Sequence, residues 1–219
     1  TGADARALLF PRAEFRHPGR VGTDRPLQVG IFVFDDAEEL DVVGPYDVLA
    51  AWARQSALRP DVLTFSADGA PVRCAKGLGL VPDRGAETVG PLHVLIHPGG
   101  WGTRRLAADR DHLAWIRRMR ATTPLMASVC TGALVYAAAG LLAGRPATTH
   151  WSAVDELARL DPSVLVDTEA RFLDDGDVVT SAGVSAGIDM ALHLVARLES
   201  VEAARAVRRQ IQYDPAPPV

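Results

Sequence analysis

Asparagine is absent from this 219-residue chain, and lysine occurs once, at Lys76, although arginine is plentiful. Without asparagine there is no N-glycosylation acceptor. The arginine bias is that of a GC-rich coding sequence, which points to a bacterial source and says little about chemistry. Cysteine is scarce, with Cys74 and Cys130 alone. No secretory signal is visible, so both thiols are expected to be free in a reducing cytoplasm. No apolar run reaches the length of a membrane span. Basic charge does not dominate: 23 basic and 27 acidic residues leave a net charge of −4, which argues against a nucleic-acid-binding face. No Cys/His cluster has zinc spacing. His93 and His97 are four apart, but along a strand that is roughly 13 Å, too far to share one ion. Gly183-Val-Ser-Ala-Gly187 lacks the Gly-x-Gly-x-x-Gly form of a dinucleotide site.

What is present suits one domain with a sizeable core, since 48% of the residues are hydrophobic. Residues 1–26, with five arginines and three acids, are expected to form an irregular arm, packed against a partner subunit. Residues 27–219 are expected to form a single domain. Leu27 to Phe34 reads as a strand, and Val43 to Arg54 as a helix with Pro45 in its first turn, where a missing N–H costs little. Val62 to Ser66, short segments around Val72 and Leu80, and Leu92 to Ile96 read as strands. Leu113, Ile116 and Met119 give the next helix its apolar side. A β-rich stretch from Val164 to Thr180 precedes helices at about 185–198 and 200–211, the first capped by Ser185. Strands alternating with helices imply an α/β sandwich on a largely parallel sheet.

In such a fold, sites lie at the carboxyl ends of the parallel strands. Cys130 ends the apolar run Pro124 to Val129 and is followed at once by Thr131-Gly132-Ala133-Leu134-Val135. That is a sharp strand-to-helix turn, which presents a nucleophile above the sheet edge. The helix N-terminus beside it would favour thiolate over thiol. Cys74 has no such context and reads as structural. Asp41 sits among Leu40, Val42 and Val43, which want burial. Burial raises a carboxyl pKa and suits acid–base work; an N-cap of the helix near Val43 is the competing role. Gly99 and Gly100 permit a turn whose amides, with that of Thr131, would form an oxyanion-type pocket. Gly183 begins a loop near enough to line the same pocket. Trp101 is open to a pocket wall, core or dimer role. His150 is open to a role as base for Cys130, as a helix cap or as a wall.

Five segments together resemble the DJ-1/PfpI superfamily. They are Glu38-Glu-Leu-Asp-Val-Val-Gly-Pro-Tyr46, Pro98-Gly-Gly-Trp-Gly102, Ser128-Val-Cys-Thr-Gly-Ala133, Ala147-Thr-Thr-His-Trp151 and Ala182-Gly-Val-Ser-Ala-Gly-Ile-Asp189. The match runs in order from about residue 27 to the Tyr213-Asp-Pro ending and is most similar to the isonitrile (isocyanide) hydratase branch. The sensor halves of some AraC-type regulators carry similar segments. The resemblance implies a flavodoxin-like three-layer sandwich, a homodimer and a nucleophilic cysteine at Cys130. The superfamily's acidic partner is commonly glutamate; the hydratase branch uses aspartate, which falls on Asp41. Protease-like members carry histidine after the cysteine, where this chain has Thr131.

The expected activity is therefore cofactor-independent hydration of an isocyanide to an N-substituted formamide, through Cys130 and Asp41. Two other classes stand beside it. One is a ligand-sensing domain, for which a DNA-binding helical segment after the sandwich would be expected and is not seen before Val219. The other is redox or carbonyl-stress protection through an oxidisable Cys130.

Overall fold

The computed structural model describes residues 26–215; the expected arm, apart from Pro26, lies outside the described residues. The strands are β1 (Gln28–Phe32), β2 (Asp61–Ser66), β3 (Val72–Arg73), β4 (Gly79–Leu80), β5 (Arg84–Gly85), β6 (Val94–His97), β7 (Leu125–Val129), β8 (Pro146–Ala147), β9 (Leu165–Val166), β10 (Phe172–Asp174) and β11 (Val178–Ser181). The helices are α1 (Glu39–Gln55), α2 (Thr103–Ala108), α3 (Arg110–Thr122), α4 (Gly132–Ala138), α5 (Val154–Leu160), α6 (Ala186–Leu198) and α7 (Val201–Gln210).

Seven strands form the main sheet in the order β10-β11-β7-β6-β1-β2-β5. Every neighbouring pair is parallel except the edge pair of β10 and β11. All residues of β6, β7 and β11 are buried, because helices cover both faces and no residue of a central strand reaches water. Helices α1, α6 and α7 pack together on one face, and α2, α3, α4 and α5 on the other. The result is the α/β sandwich on a largely parallel sheet that alternating strands and helices imply, in the flavodoxin-like three-layer form that the resemblance implies. Register brings the site together: β6 and β7 pair so that His97 lies beside Ser128, and β7 and β11 so that Val129 lies beside Ser181. The chain leaves all three strands at the same end of the sheet, just before Gly99, Cys130 and Gly183.

Three local expectations are corrected. Helix α1 begins at Glu39, not near Val43, so Asp41 lies inside its first turn and is not the N-cap. Glu38 holds the cap position and makes no side-chain capping bond. Pro45 is consequently interior, and its missing N–H leaves the Asp41 carbonyl without its usual helical donor. Ser185 occupies the N-cap of α6 but does not cap it; its hydroxyl accepts from the Arg171 guanidinium at 3.4 Å. Helix α2 follows the glycine loop where no helix was expected. Its tight start lets Thr103 donate to the Gly100 carbonyl at 2.7 Å.

Candidate active site

The elbow is strained. Cys130 has φ of 57°, in the left-handed region that costs a side-chain-bearing residue about 1–2 kcal/mol. Its surroundings hold it there. The Cys130 N–H is shared between the carbonyls of Ser181 at 3.1 Å and Ala182 at 3.2 Å. Its own carbonyl accepts from the Thr149 hydroxyl at 2.8 Å. With both backbone groups tied to separate segments, the thiol points where the fold dictates.

Asp41 is fully buried. Its Oδ2 accepts from the Gly99 N–H at 2.9 Å, while Oδ1 receives no hydrogen bond from any described residue. Burial lifts the carboxyl to about 7, against the pull of the Gly99 amide; the charge of Glu38 adds to the rise. Burial also pushes the Cys130 thiol up to about 12, and the negative charge of Asp41 pushes further. The backbone amides of Thr131 and Val184 point at the sulfur and work in the opposite direction. Burial beside a carboxylate outweighs the two amides, which runs against the thiolate expected from the helix N-terminus. At neutral pH the sulfur keeps its proton, and Asp41 stands near half ionisation. The two groups couple through charge and through the contact between thiol and carboxyl.

Gly99 is where the site closes. A Cβ there would lie 2.5 Å from the Thr131 nitrogen and 2.8 Å from both Asp41 Oδ2 and Cys130 Cβ. No side chain fits between the three. The Gly100 N–H donates to Thr131 Oγ1 at 2.9 Å, and the Thr131 hydroxyl donates back to the Gly100 carbonyl at 3.1 Å. Thr103 Oγ1 lies 3.1 Å from the same hydroxyl. Both glycine amides are thus committed to positioning the acid and the threonine. This differs from the expectation that they face a substrate. Val184 supplies the second amide beside Thr131, and it does so at φ of 50°, a conformation that a β-branched residue adopts only under constraint.

Gly183 has a different reason to be glycine. A Cβ there would fall 2.1 Å from His150 Cδ2, so the imidazole lies directly on the backbone beside Val184. His150 Nδ1 lies 2.8 Å from the Ser152 hydroxyl and accepts from the Ser152 N–H at 3.3 Å, capping the short 3-10 turn Trp151–Ala153. No hydrogen bond joins its ring to Cys130, and the contacts it makes are those of a wall and a cap. Trp101 is 75% exposed and Trp151 80%, which removes a core role for Trp101. The Arg104 guanidinium sits 5.1 Å over the Trp101 ring and pairs with Glu156 at 2.7 Å.

A second buried pair braces the glycine loop. His97 Nδ1 lies 2.8 Å from the Pro98 carbonyl, which can only accept. Nδ1 therefore carries the hydrogen, and Nε2 presents a lone pair. His112 Nε2, 3.2 Å away, must then donate, leaving its Nδ1 as an acceptor. Burial pulls His97 down to about 3 and His112 to about 4, so both rings are neutral. His93 serves elsewhere, accepting the Gln28 N–H at 3.0 Å.

The sequence pattern of the DJ-1/PfpI family matches residues 27–197. The isonitrile hydratase of Pseudomonas putida is 41% identical over 88% of this chain and 81% of its own length. The HTH-type transcriptional regulator GbdR of Pseudomonas aeruginosa is 31% identical over 69% of this chain, but the match spans only 41% of the regulator. Among solved structures, a ThiJ/PfpI family protein from Pseudomonas syringae superposes with a TM-score of 0.80 at 33% identity, covering 93% of this chain and 83% of its own. Drosophila melanogaster DJ-1beta shares the fold, with a TM-score of 0.77 at 20% identity over 87% of this chain and all of its own. With the elbow cysteine, the buried acid and the glycine loop in one place, the chain belongs to the DJ-1/PfpI family.

Proposed function

We propose that this protein hydrates an isocyanide to an N-substituted formamide without a cofactor. One observation carries the reading: a fully buried carboxyl, raised to about 7, faces the thiol of a strained elbow cysteine. A thiol held near 12 is a weak nucleophile alone, but a half-ionised carboxylate beside it is a base matched to neutral pH. Cys130 attacks the terminal isocyanide carbon as its proton passes to Asp41. Asp41 then delivers that proton to the same carbon, giving a thioimidate, R–N=CH–S–Cys130. Water adds to the thioimidate carbon as Asp41 takes one of its protons and passes it to the imine nitrogen. Collapse of the tetrahedral adduct breaks the C–S bond, releases R–NH–CHO and returns the proton to sulfur. Splitting the reaction avoids direct attack by weakly nucleophilic water. The amides of Thr131 and Val184 offset charge on sulfur as it leaves. The 41% identity to the isonitrile hydratase supports the substrate class.

The redox reading is weaker on physical grounds. Oxidation proceeds through the thiolate, and a thiol near 12 holds roughly one part in 10⁵ as thiolate at pH 7. We further propose that residues 27–219 act as one domain within a cytoplasmic homodimer. Leu40, Val43 and Tyr46, partly exposed at successive turns of α1, form an apolar stripe suited to a second copy. No helix among the described residues is long and apolar enough to cross a membrane.

Formamide production from a panel of alkyl and aryl isocyanides tests the reaction. Turnover is expected in the wild type and is lost in Cys130→Ala and Asp41→Asn. Retained turnover in Cys130→Ala would rule out the covalent route. Absence of turnover with every isocyanide, in folded protein with reduced Cys130, would sink the hydratase reading and favour a sensor.

A further inference from the structure

A cavity of about 660 Å³ opens at the carboxyl ends of β1 and β2, against α2 and α3, and Cys130 is not among its lining residues. Its volume is that of a small-molecule site. Four aromatic rings line it: Phe32, Phe34, His112 and Trp115. Phe32 lies 5.0 Å from Trp115 and 5.2 Å from His112, and His112 lies 5.3 Å from Trp115, centroid to centroid. These three rings are tilted by 33–38° to one another and form a packed aromatic cluster, with Phe32 and Phe34 buried behind the half-buried Trp115 and His112.

The remaining lining mixes apolar residues such as Val72 and Leu106 with charged ones. Asp35, Asp68, Glu87, Asp109 and Asp111 face Arg105 and Arg118. Arg105 is already turned to Asp36 and to the Asp35 carbonyl. None of the five lining carboxylates forms an ion pair with a described residue. His112 adds no positive charge, because its hydrogen-bonded partner His97 fixes it as a neutral ring. Asp35, Asp68 and Asp109 accept backbone N–H groups, but five carboxylates against two guanidinium groups still leave the lining negative. An aromatic cluster under net negative charge attracts one kind of guest. Ring faces are negative, and carboxylates reinforce them.

We propose that this cavity is a second small-molecule site, which takes an organic cation with a flat apolar body such as an aryl ammonium. The cationic head is held by carboxylates and the half-buried Trp115 ring together, and the apolar body replaces water against Trp115, Val72 and Leu106. The site is separate from the sulfur chemistry and does not depend on it.

Calorimetric titration of the full chain with phenyltrimethylammonium, benzyl alcohol and benzenesulfonate tests the proposal. The three share an aromatic body and differ in charge. The cation is expected to bind about tenfold more tightly than the neutral alcohol, and the anion not measurably, as ring and carboxylate attraction dictate. Glu87→Gln combined with Asp111→Asn, two exposed positions that leave the fold untouched, should weaken the cation about fivefold and leave the alcohol unchanged. Trp115→Phe should weaken it several-fold, and Cys130→Ala should not alter it. The proposal fails if the cation gives no binding, if the anion or the alcohol binds as tightly, or if the double variant binds the cation as the wild type does. Loss of binding in Cys130→Ala would place the cation at the elbow and overturn it equally.

Discussion

Two buried titratable pairs flank the Pro98-Gly99 turn, and they solve burial in opposite ways. His97 and His112 give up charge altogether. One carbonyl, that of Pro98, fixes both tautomers, and every bond between them is made. Asp41 and Cys130 do not settle. One carboxylate oxygen has no described partner, the carboxyl and the thiol are both displaced upward, and two residues around the sulfur hold positive φ. The histidine pair is scaffold: joined to each other, tied to the Pro98 carbonyl, and neutral. The acid–thiol pair keeps a burial cost that only a reaction can use, because a group near half ionisation both takes and gives a proton at little cost.

The largest effect expected from this contrast is chemical. Cys130→Ala should lower turnover by about 10⁴-fold or more, the scale of losing a covalent nucleophile, whereas His112→Gln should lower it by far less. Equal losses in single-turnover assays would break the distinction between chemistry and scaffold. Gly99→Ala comes next. The added methyl must displace Asp41, Thr131 or Cys130, so kcat should fall at least about 100-fold, with about 1–3 kcal/mol lost from stability by overpacking. Urea unfolding beside formamide assays checks both halves.

Stability against pH sharpens the comparison further, since the two pairs pull in opposite directions over one window. Asp41 rises from 3.8 unfolded to about 7 folded. The stability it contributes is complete below pH 3.8 and lost as pH rises through 7. His97 and His112 fall from 6.5 to about 3 and about 4, so their contributions are present above pH 6.5 and lost as pH falls through 4 and 3. Two histidines outweigh one carboxyl, and the wild type should gain stability as pH rises from 4 to 6.5. Asp41→Asn unmasks the histidine limb, and its stability should climb steeply with pH, with a gain over wild type of roughly 2–4 kcal/mol at pH 8. His112→Gln should flatten the curve over that window, leaving His97 to offset Asp41. Parallel curves for all three proteins would show that neither pair titrates as described. The smallest effect is at the rim: Trp101→Ala should change stability by less than about 0.5 kcal/mol, measured by the same unfolding.

Much of this was legible in the chain. An apolar run broken by Cys-Thr-Gly before a second apolar run marks an elbow wherever it occurs, and β7, Cys130 and α4 follow it. Asp41 stood out because its neighbours demand burial, and the structure buries it. Its place in α1 was not legible, since Pro45 reads as a first-turn proline and here sits in the helix interior. Val184, Thr149 and Thr103 carry no local signal. Each acts through a backbone group or a hydroxyl brought in from a distant segment, and a valine in the left-handed region contradicts its own preference. His112 was invisible for the same reason, because only the packing of α3 on β6 gives it His97. The glycines were seen, but their purpose was misread: the Gly99 and Gly100 amides grip the site's own residues.

The crowding at Gly99 also bears on how such a site can change by descent. Residues 41, 99, 130 and 131 come from three segments, yet they meet within a space that one methyl group would fill. Substitutions there are not independent steps. Once position 99 gains a methyl, further loss of the Asp41 carboxyl should cost little, because the geometry that gave it value is gone. A mutational walk away from this chemistry is easy from any of the four positions, and the walk back requires several of them to revert together.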